Sequence, residues 1–214
     1  MTTIAIIAIA IATVVNAEGP CDILQAAGNP CVAAHSTVRA LYKNYNGKLY
    51  NVTRSSDGTS MNINTRNPGG FANKPAHDVF CSKLDCVISN VFDQSANQNH
   101  LGQRHKLVNA SLHPITVGVD KTPVYGMWFG PGFGYHVDKT KNIATGNDPE
   151  SIYAVMSGKN YNGGCCFDYG NSETNDHDDG CGTMEAIYFG DAHWHGNAGA
   201  GTGPWAGADL EQGM

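Results

Sequence analysis

The sequence predicts an all-β sandwich, and three observations carry that prediction. Apolar residues alternate over short segments, at residues 48–52, 86–92, 151–156 and 184–189, as expected of half-buried strands. Clusters of Gly, Asn, Asp and Pro separate those segments and supply turns. Only residues 36–45 repeat apolar side chains at helical spacing, through Val38, Leu41 and Tyr45, with Ser36 or Thr37 available as a cap. Many strands, few helices and abundant turns are the pattern of packed sheets, of the concanavalin-like or jelly-roll kind. No internal repeat or interdomain linker interrupts the chain, so residues 18–214 are expected to form one domain.

The N-terminus reads as a leader. An apolar run from Ile4 to Val15 ends in Val15-Asn16-Ala17, a small-residue cleavage pattern, although no Lys or Arg precedes it. The run falls short of the ~20 residues a bilayer span needs. A signal peptide over residues 1–17 is therefore expected, with a secreted chain beginning at Glu18 and no membrane association. Composition agrees: seven cysteines, 26 glycines and 15% charged residues suit an ordered extracellular domain. The net charge of −6, with no cluster of Lys or Arg, argues against a nucleic-acid partner. In a secreted chain Asn51-Val52-Thr53 and Asn109-Ala110-Ser111 are N-glycosylation sequons.

Two stretches invite a chemical reading. The first is Gly163-Gly164-Cys165-Cys166-Phe167-Asp168-Tyr169-Gly170-Asn171. Adjacent cysteines either have separate partners or bond to each other, and a bond between them closes almost no loop. The second reading makes them a flat sulfur platform, with a distorted peptide bond, in a site where glycines free the backbone. The second stretch runs from Gly203 to Glu211 and places Asp209 and Glu211 at alternate positions. In a strand both would project from one face beside Trp205. Two acids and a tryptophan suit sugar chemistry, and an exposed polar strand face would show the same pattern.

Other arrangements carry less. Residues 175–180 lack the register of a calcium loop and read as a solvated acidic turn. His193 and His195 share a strand face but have no third ligand, so no metal is expected, and no cofactor. There is no Gly-x-Ser-x-Gly elbow. Gly130-Pro131-Gly132-Phe133-Gly134 has no Gly-Lys-Ser/Thr and cannot be a phosphate loop. The Gly-rich residues 196–203 suggest a loop over the site.

Several motifs together resemble the secreted α-L-arabinofuranosidase B family (glycoside hydrolase family 54). They are Gly19-Pro20-Cys21-Asp22-Ile23, Pro30-Cys31-Val32-Ala33-Ala34-His35-Ser36-Thr37, Phe92-Asp93-Gln94-Ser95, Cys165-Cys166-Phe167-Asp168-Tyr169-Gly170-Asn171, Met184-Glu185-Ala186-Ile187-Tyr188 and Gly203-Pro204-Trp205. The resemblance implies retaining hydrolysis of terminal α-L-arabinofuranosyl residues from arabinan or arabinoxylan, by a monomer without cofactor. It makes Glu211 the nucleophile, Asp209 a ligand of sugar hydroxyls, Cys165 and Cys166 a vicinal disulfide under the furanose, and Trp194 and Gln212 further sugar contacts. For Trp194, core packing is the competing reading. Spacing allows Cys21–Cys31 and Cys81–Cys86 bridges, and the family has both. Cys181 is then left over, as a buried thiol or an intermolecular partner. The family's acid/base aspartate lies well beyond its nucleophile, so the chain reads as an N-terminal part of such a catalytic domain. A non-catalytic arabinose-binding sandwich is the alternative, and a structural secreted protein a third reading.

Overall fold

The computed structural model describes residues 17–82, 84–161, 165–175, 184–191 and 202–210. Among these the all-β class holds, with ten strands and two seven-residue helices. In order they are α1 (Pro20–Ala26), β1 (Lys48–Arg54), β2 (Ser60–Asn64), α2 (Lys74–Phe80), β3 (Cys86–Val91), β4 (Gly102–Gln103), β5 (Pro114–Val117), β6 (Thr122–Tyr125), β7 (Tyr135–His136), β8 (Cys166–Asn171), β9 (Glu185–Gly190) and β10 (Trp205–Asp209). Two antiparallel three-stranded sheets result, ordered β2-β1-β3 and β10-β9-β8, with small ribbons β4-β7 and β5-β6. No helix among the described residues is long and apolar enough to cross a membrane.

The first sheet carries the core. Alternation along β1 sends Tyr50 and Val52 inward with Leu49, and these pack with Ile63 and Ile88, all fully buried. Each such side chain contributes about 1.5–3 kcal/mol by leaving water. The buried Tyr50 hydroxyl needs a partner, and finds His77 Nδ1 at 2.9 Å, while His77 Nε2 meets Ser111 Oγ at 3.0 Å. Burial holds His77 down to about 4, hence neutral at physiological pH. The outer face of the same sheet is polar. Asn51 Nδ2 donates to Asn62 Oδ1 at 2.8 Å, and Ser89 Oγ donates to Asn51 Oδ1 at 2.6 Å. One sequon asparagine thus sits within this ladder. In the other, Asn109 Oδ1 accepts from the Ser111 N–H at 3.0 Å.

The two helices start from local chemistry. Pro20 opens α1, and the Asp22 carboxylate folds back onto the Gly19 N–H at 2.8 Å. Asn73 caps α2 by accepting from the Ala76 N–H at 3.2 Å. The helix predicted over residues 36–45 does not form. Its backbone groups have distant partners instead: the Ala40 N–H donates to Gly70 O at 2.9 Å and the Leu41 N–H to Gln94 Oε1 at 2.7 Å. Ser36 Oγ accepts from Val38 and Arg39, but this closes only a turn. Residues 151–156 are likewise not a strand. Their burial alternates as the sequence pattern requires, but they join no ladder among the described residues.

Cysteine pairs Cys21–Cys31 and Cys81–Cys86 are bonded, with Cα atoms 5.5 and 5.8 Å apart. Around the first of these the loops converge on Asp93, which is only 3% exposed. Its carboxylate accepts from the N–H groups of Ala34 at 2.7 Å, Ser95 at 2.8 Å and Asn99 at 2.8 Å, and from Ser95 Oγ at 2.6 Å. Hydrogen bonds to a charged group are individually stronger than neutral ones, and stranding buried donors adds a desolvation cost. Asp93→Ala is therefore expected to lower unfolding free energy by at least about 3 kcal/mol. Urea titration measures this, and a loss under about 1 kcal/mol would contradict the hub role.

Candidate functional site

The second sheet assembles the sequence-predicted residues. Strand β8 is positioned from its apolar side. Phe167 packs on Phe129 with ring centroids 4.9 Å apart, and the Tyr169 hydroxyl lies 2.9 Å from His35 Nδ1. The other nitrogen of His35 is 2.7 Å from the Asn99 carbonyl, which can only accept. Nε2 therefore carries the proton, and Tyr169 donates to Nδ1. Burial lowers the His35 pKa and keeps this neutral tautomer in place.

Register then decides what shares the opposite face. Cys166 pairs with Gly190, which pairs with Trp205; Asp168 pairs with Tyr188, which pairs with Gly207; Gly170 pairs with Ala186, which pairs with Asp209. Directly opposed residues point the same way and side chains alternate along a strand. Cys166, Asp168, Tyr188, Trp205 and Asp209 therefore occupy one face. Gly190 is required between Cys166 and Trp205, because a Cβ there would overlap the Cys165 carbonyl oxygen.

The two adjacent cysteines are bonded to each other, with Cα atoms 3.7 Å apart. That spacing is close to the value for a trans peptide and far from the cis value, and no cis bond is found at this position. The distortion predicted for the ring appears instead at Cys165, whose φ of 157° lies outside the ordinary regions. The Asp191 N–H donates to the Cys165 carbonyl at 3.1 Å and ties the platform to the end of β9.

Asp168 is the residue that spacing alone did not single out for this face. It lies two positions after Cys166, the same alternation that pairs Asp209 with Glu211 in the sequence. Its Oδ1 is buried without a hydrogen-bond partner. Burial, and then the charge on Asp209, push its carboxyl up to about 6. Two acids with such different surroundings can work as opposites, one holding a proton and donating while the other accepts. Beside a sulfur surface and an indole, they suit a ligand with hydroxyl groups and an apolar face. Among the described residues no group of three or more His, Cys, Asp and Glu could hold a metal ion. Glu211, Gln212, Trp194 and Cys181 lie outside the described residues.

The folded pKa of Asp168 exceeds its unfolded value of roughly 3.9. The stability this contributes is complete below about pH 4 and lost as pH rises through about 6. Asp168→Asn is thus expected to match the wild-type Tm near pH 4 and to exceed it at about pH 8. Scanning calorimetry at both values checks this, and an equal effect at both would contradict the buried charge.

The whole described sheet lies within a match to known proteins. A family model described as "Alpha-L-arabinofuranosidase B, catalytic" matches residues 20–214. A probable α-L-arabinofuranosidase B of Aspergillus terreus is 48% identical, covering 92% of this chain and 41% of the relative. The α-L-arabinofuranosidase B of Penicillium canescens is 46% identical, covering 92% of this chain and 44% of its own length. A solved GH54 α-L-arabinofuranosidase soaked with a cyclic sulfate inhibitor superposes with a TM-score of 0.85 at 43% identity, over 90% of this chain and 42% of that one. An arabinofuranosidase complexed with arabinofuranosyl-α-1,2-xylobiose superposes with a TM-score of 0.84 at 43% identity, over the same shares. The chain spans less than half the length of these relatives.

Proposed function

This chain belongs to the α-L-arabinofuranosidase B catalytic family, and from that premise we propose that its site binds a terminal α-L-arabinofuranosyl residue for retaining hydrolysis by the full-length protein. The observation that carries the reading is the single sheet face holding the Cys165–Cys166 disulfide, Trp205, Asp168 and Asp209. A furanose has one side rich in C–H bonds and an edge of hydroxyls. The disulfide offers the first a flat, polarizable, uncharged surface. Asp209, as carboxylate, accepts from the second, and Asp168 donates below about pH 6.

In the proposed chemistry Glu211 attacks the anomeric carbon as the glycosidic bond breaks. A second carboxyl group protonates the departing oxygen, then takes a proton from water in the hydrolytic step. Retention requires the two groups about 5–5.5 Å apart. Asp209, the last residue of β10, holds the ring in register with that attack. Trp194 and Gln212 complete the sugar contacts in this reading. The substrates proposed are arabinan and arabinoxylan side chains. The protein is proposed to be a secreted monomer, cleaved after Ala17 and glycosylated at Asn51 and Asn109; its three disulfides suit an oxidising compartment.

In the full-length protein Glu211→Gln is expected to abolish turnover of 4-nitrophenyl α-L-arabinofuranoside while arabinose binding persists. Asp209→Asn is expected to lower kcat/KM by about 10- to 100-fold, the worth of one charge-assisted hydrogen bond. Proton NMR of the first-formed arabinose should show the α anomer. The β anomer first, or an active Glu211→Gln protein, would overturn the assignment.

A further inference from the structure

A cavity of different character lies away from the acid-bearing face. An open groove of about 480 Å³ runs between the α1 end of the chain and the loops around residues 42–45, 94–97 and 142, and no residue of β8, β9 or β10 lines it. Every lining side chain is uncharged at physiological pH, in a protein with 32 charged residues. Its apolar walls include the rings of Tyr42 and Tyr45, whose hydroxyl pKa values are raised, chiefly by burial.

The groove is rigid. Cys31 in its wall is bonded to the buried Cys21. The Tyr42 hydroxyl donates to the Cys31 carbonyl at 3.4 Å, and the Tyr45 hydroxyl to the Lys48 carbonyl at 2.6 Å. Gln94 spends its amide on the Leu41 N–H and the Arg39 carbonyl, which fixes the floor. At one end, amides are aligned in a chain. Asn97 Nδ2 donates to the Val32 carbonyl at 2.8 Å, and Asn142 Nδ2 donates to Asn97 Oδ1 at 2.8 Å. Asn142 is held at φ 57°, in the left-handed region that asparagine tolerates. Its Oδ1 accepts from no described residue and, with the second N–H of each amide, is left for a ligand.

Fixed rings beside unspent amides, with no charge anywhere, match a neutral ring compound that alternates C–H faces and hydroxyls. Charged polymers would find no counter-charge here. We propose that this groove is a second saccharide-binding site, holding a stretch of neutral pentose polysaccharide while the acid-bearing face takes a chain end. The proposal rests on the preceding reading only for the choice of pentose.

Affinity electrophoresis of the full-length protein in gels containing soluble arabinoxylan, or dextran as control, tests it. Ala96 is exposed in the groove wall, so Ala96→Trp fills the groove without disturbing the core. Retardation by arabinoxylan and not by dextran is expected. Ala96→Trp should raise the apparent Kd about tenfold or more by steric exclusion, and the exposed-site change Asn142→Ala about three- to tenfold. Ala96→Trp should keep the wild-type Tm, Asn142→Ala should lower it slightly because alanine suits the left-handed backbone less well, and Asp209→Asn should be retarded like the wild type. Unretarded wild type, equal retardation by dextran, or undiminished retardation of folded Ala96→Trp would each overturn the proposal. Retardation lost in Asp209→Asn but kept in Ala96→Trp would assign all binding to the acid-bearing face and overturn it too. Absence of arabinoside hydrolysis with retardation intact would defeat the proposed reaction and leave the groove standing.

Discussion

The buried carboxylate of Asp93 is the constraint on which the rest depends. Four donors from three points in the chain converge on it. A charge is tolerated in such a place only when its lone pairs are fully engaged. In being satisfied it fixes the loop from Gln94 to Asn99, and through it the carbonyl of Asn99. That carbonyl sets the tautomer of His35, and His35 receives the hydroxyl of Tyr169 on β8. A line of hydrogen bonds thus runs from a charge near the first sheet to the apolar side of the second.

The same loop serves both proposed sites. Gln94 forms the floor of the neutral groove, and Asn97 carries its amide chain. Groove and acid-bearing face differ in what they leave unsatisfied. In the groove it is amide hydrogens and a carbonyl oxygen; on the sheet it is a carboxyl oxygen, Asp168 Oδ1, beside a second acid. The first pattern costs little, because the atoms face solvent. The second is expensive in an empty fold, since burial and the charge on Asp209 disfavour the ionised carboxyl before any ligand arrives. Such stored cost is what the proposed reaction would draw on and mere adhesion would not need.

Close backbone approach is the other means by which the site is built. Gly190 lets β8 and β10 carry Cys166 and Trp205 on either side of it, and Gly170 has a Glu185 carbonyl where a Cβ would stand. The disulfide therefore rests almost directly on the backbone of β9. A side chain at either glycine would lift the sulfur surface away from the acids.

Much of this was legible in the sequence. The all-β class, β1, β3 and β9 and the placing of Asp209 on a strand follow from period-two alternation and turn residues, which act over a few positions. The bond between Cys165 and Cys166, by contrast, was implied by the family resemblance and left open by spacing. The motif Phe92-Asp93-Gln94-Ser95 was visible too, but not its role. Residues 36–45 and 151–156 both look regular in local pattern. Their conformation was decided by partners such as Gly70 and Gln94, dozens of residues away in sequence, and by the absence of a neighbouring strand for residues 151–156 among those described. Asp168 shows the same division. Its spacing from Cys166 determines which face it takes, but only the folded sheet decides that Asp209 stands beside it and that water does not, and those two conditions make its carboxyl unusual.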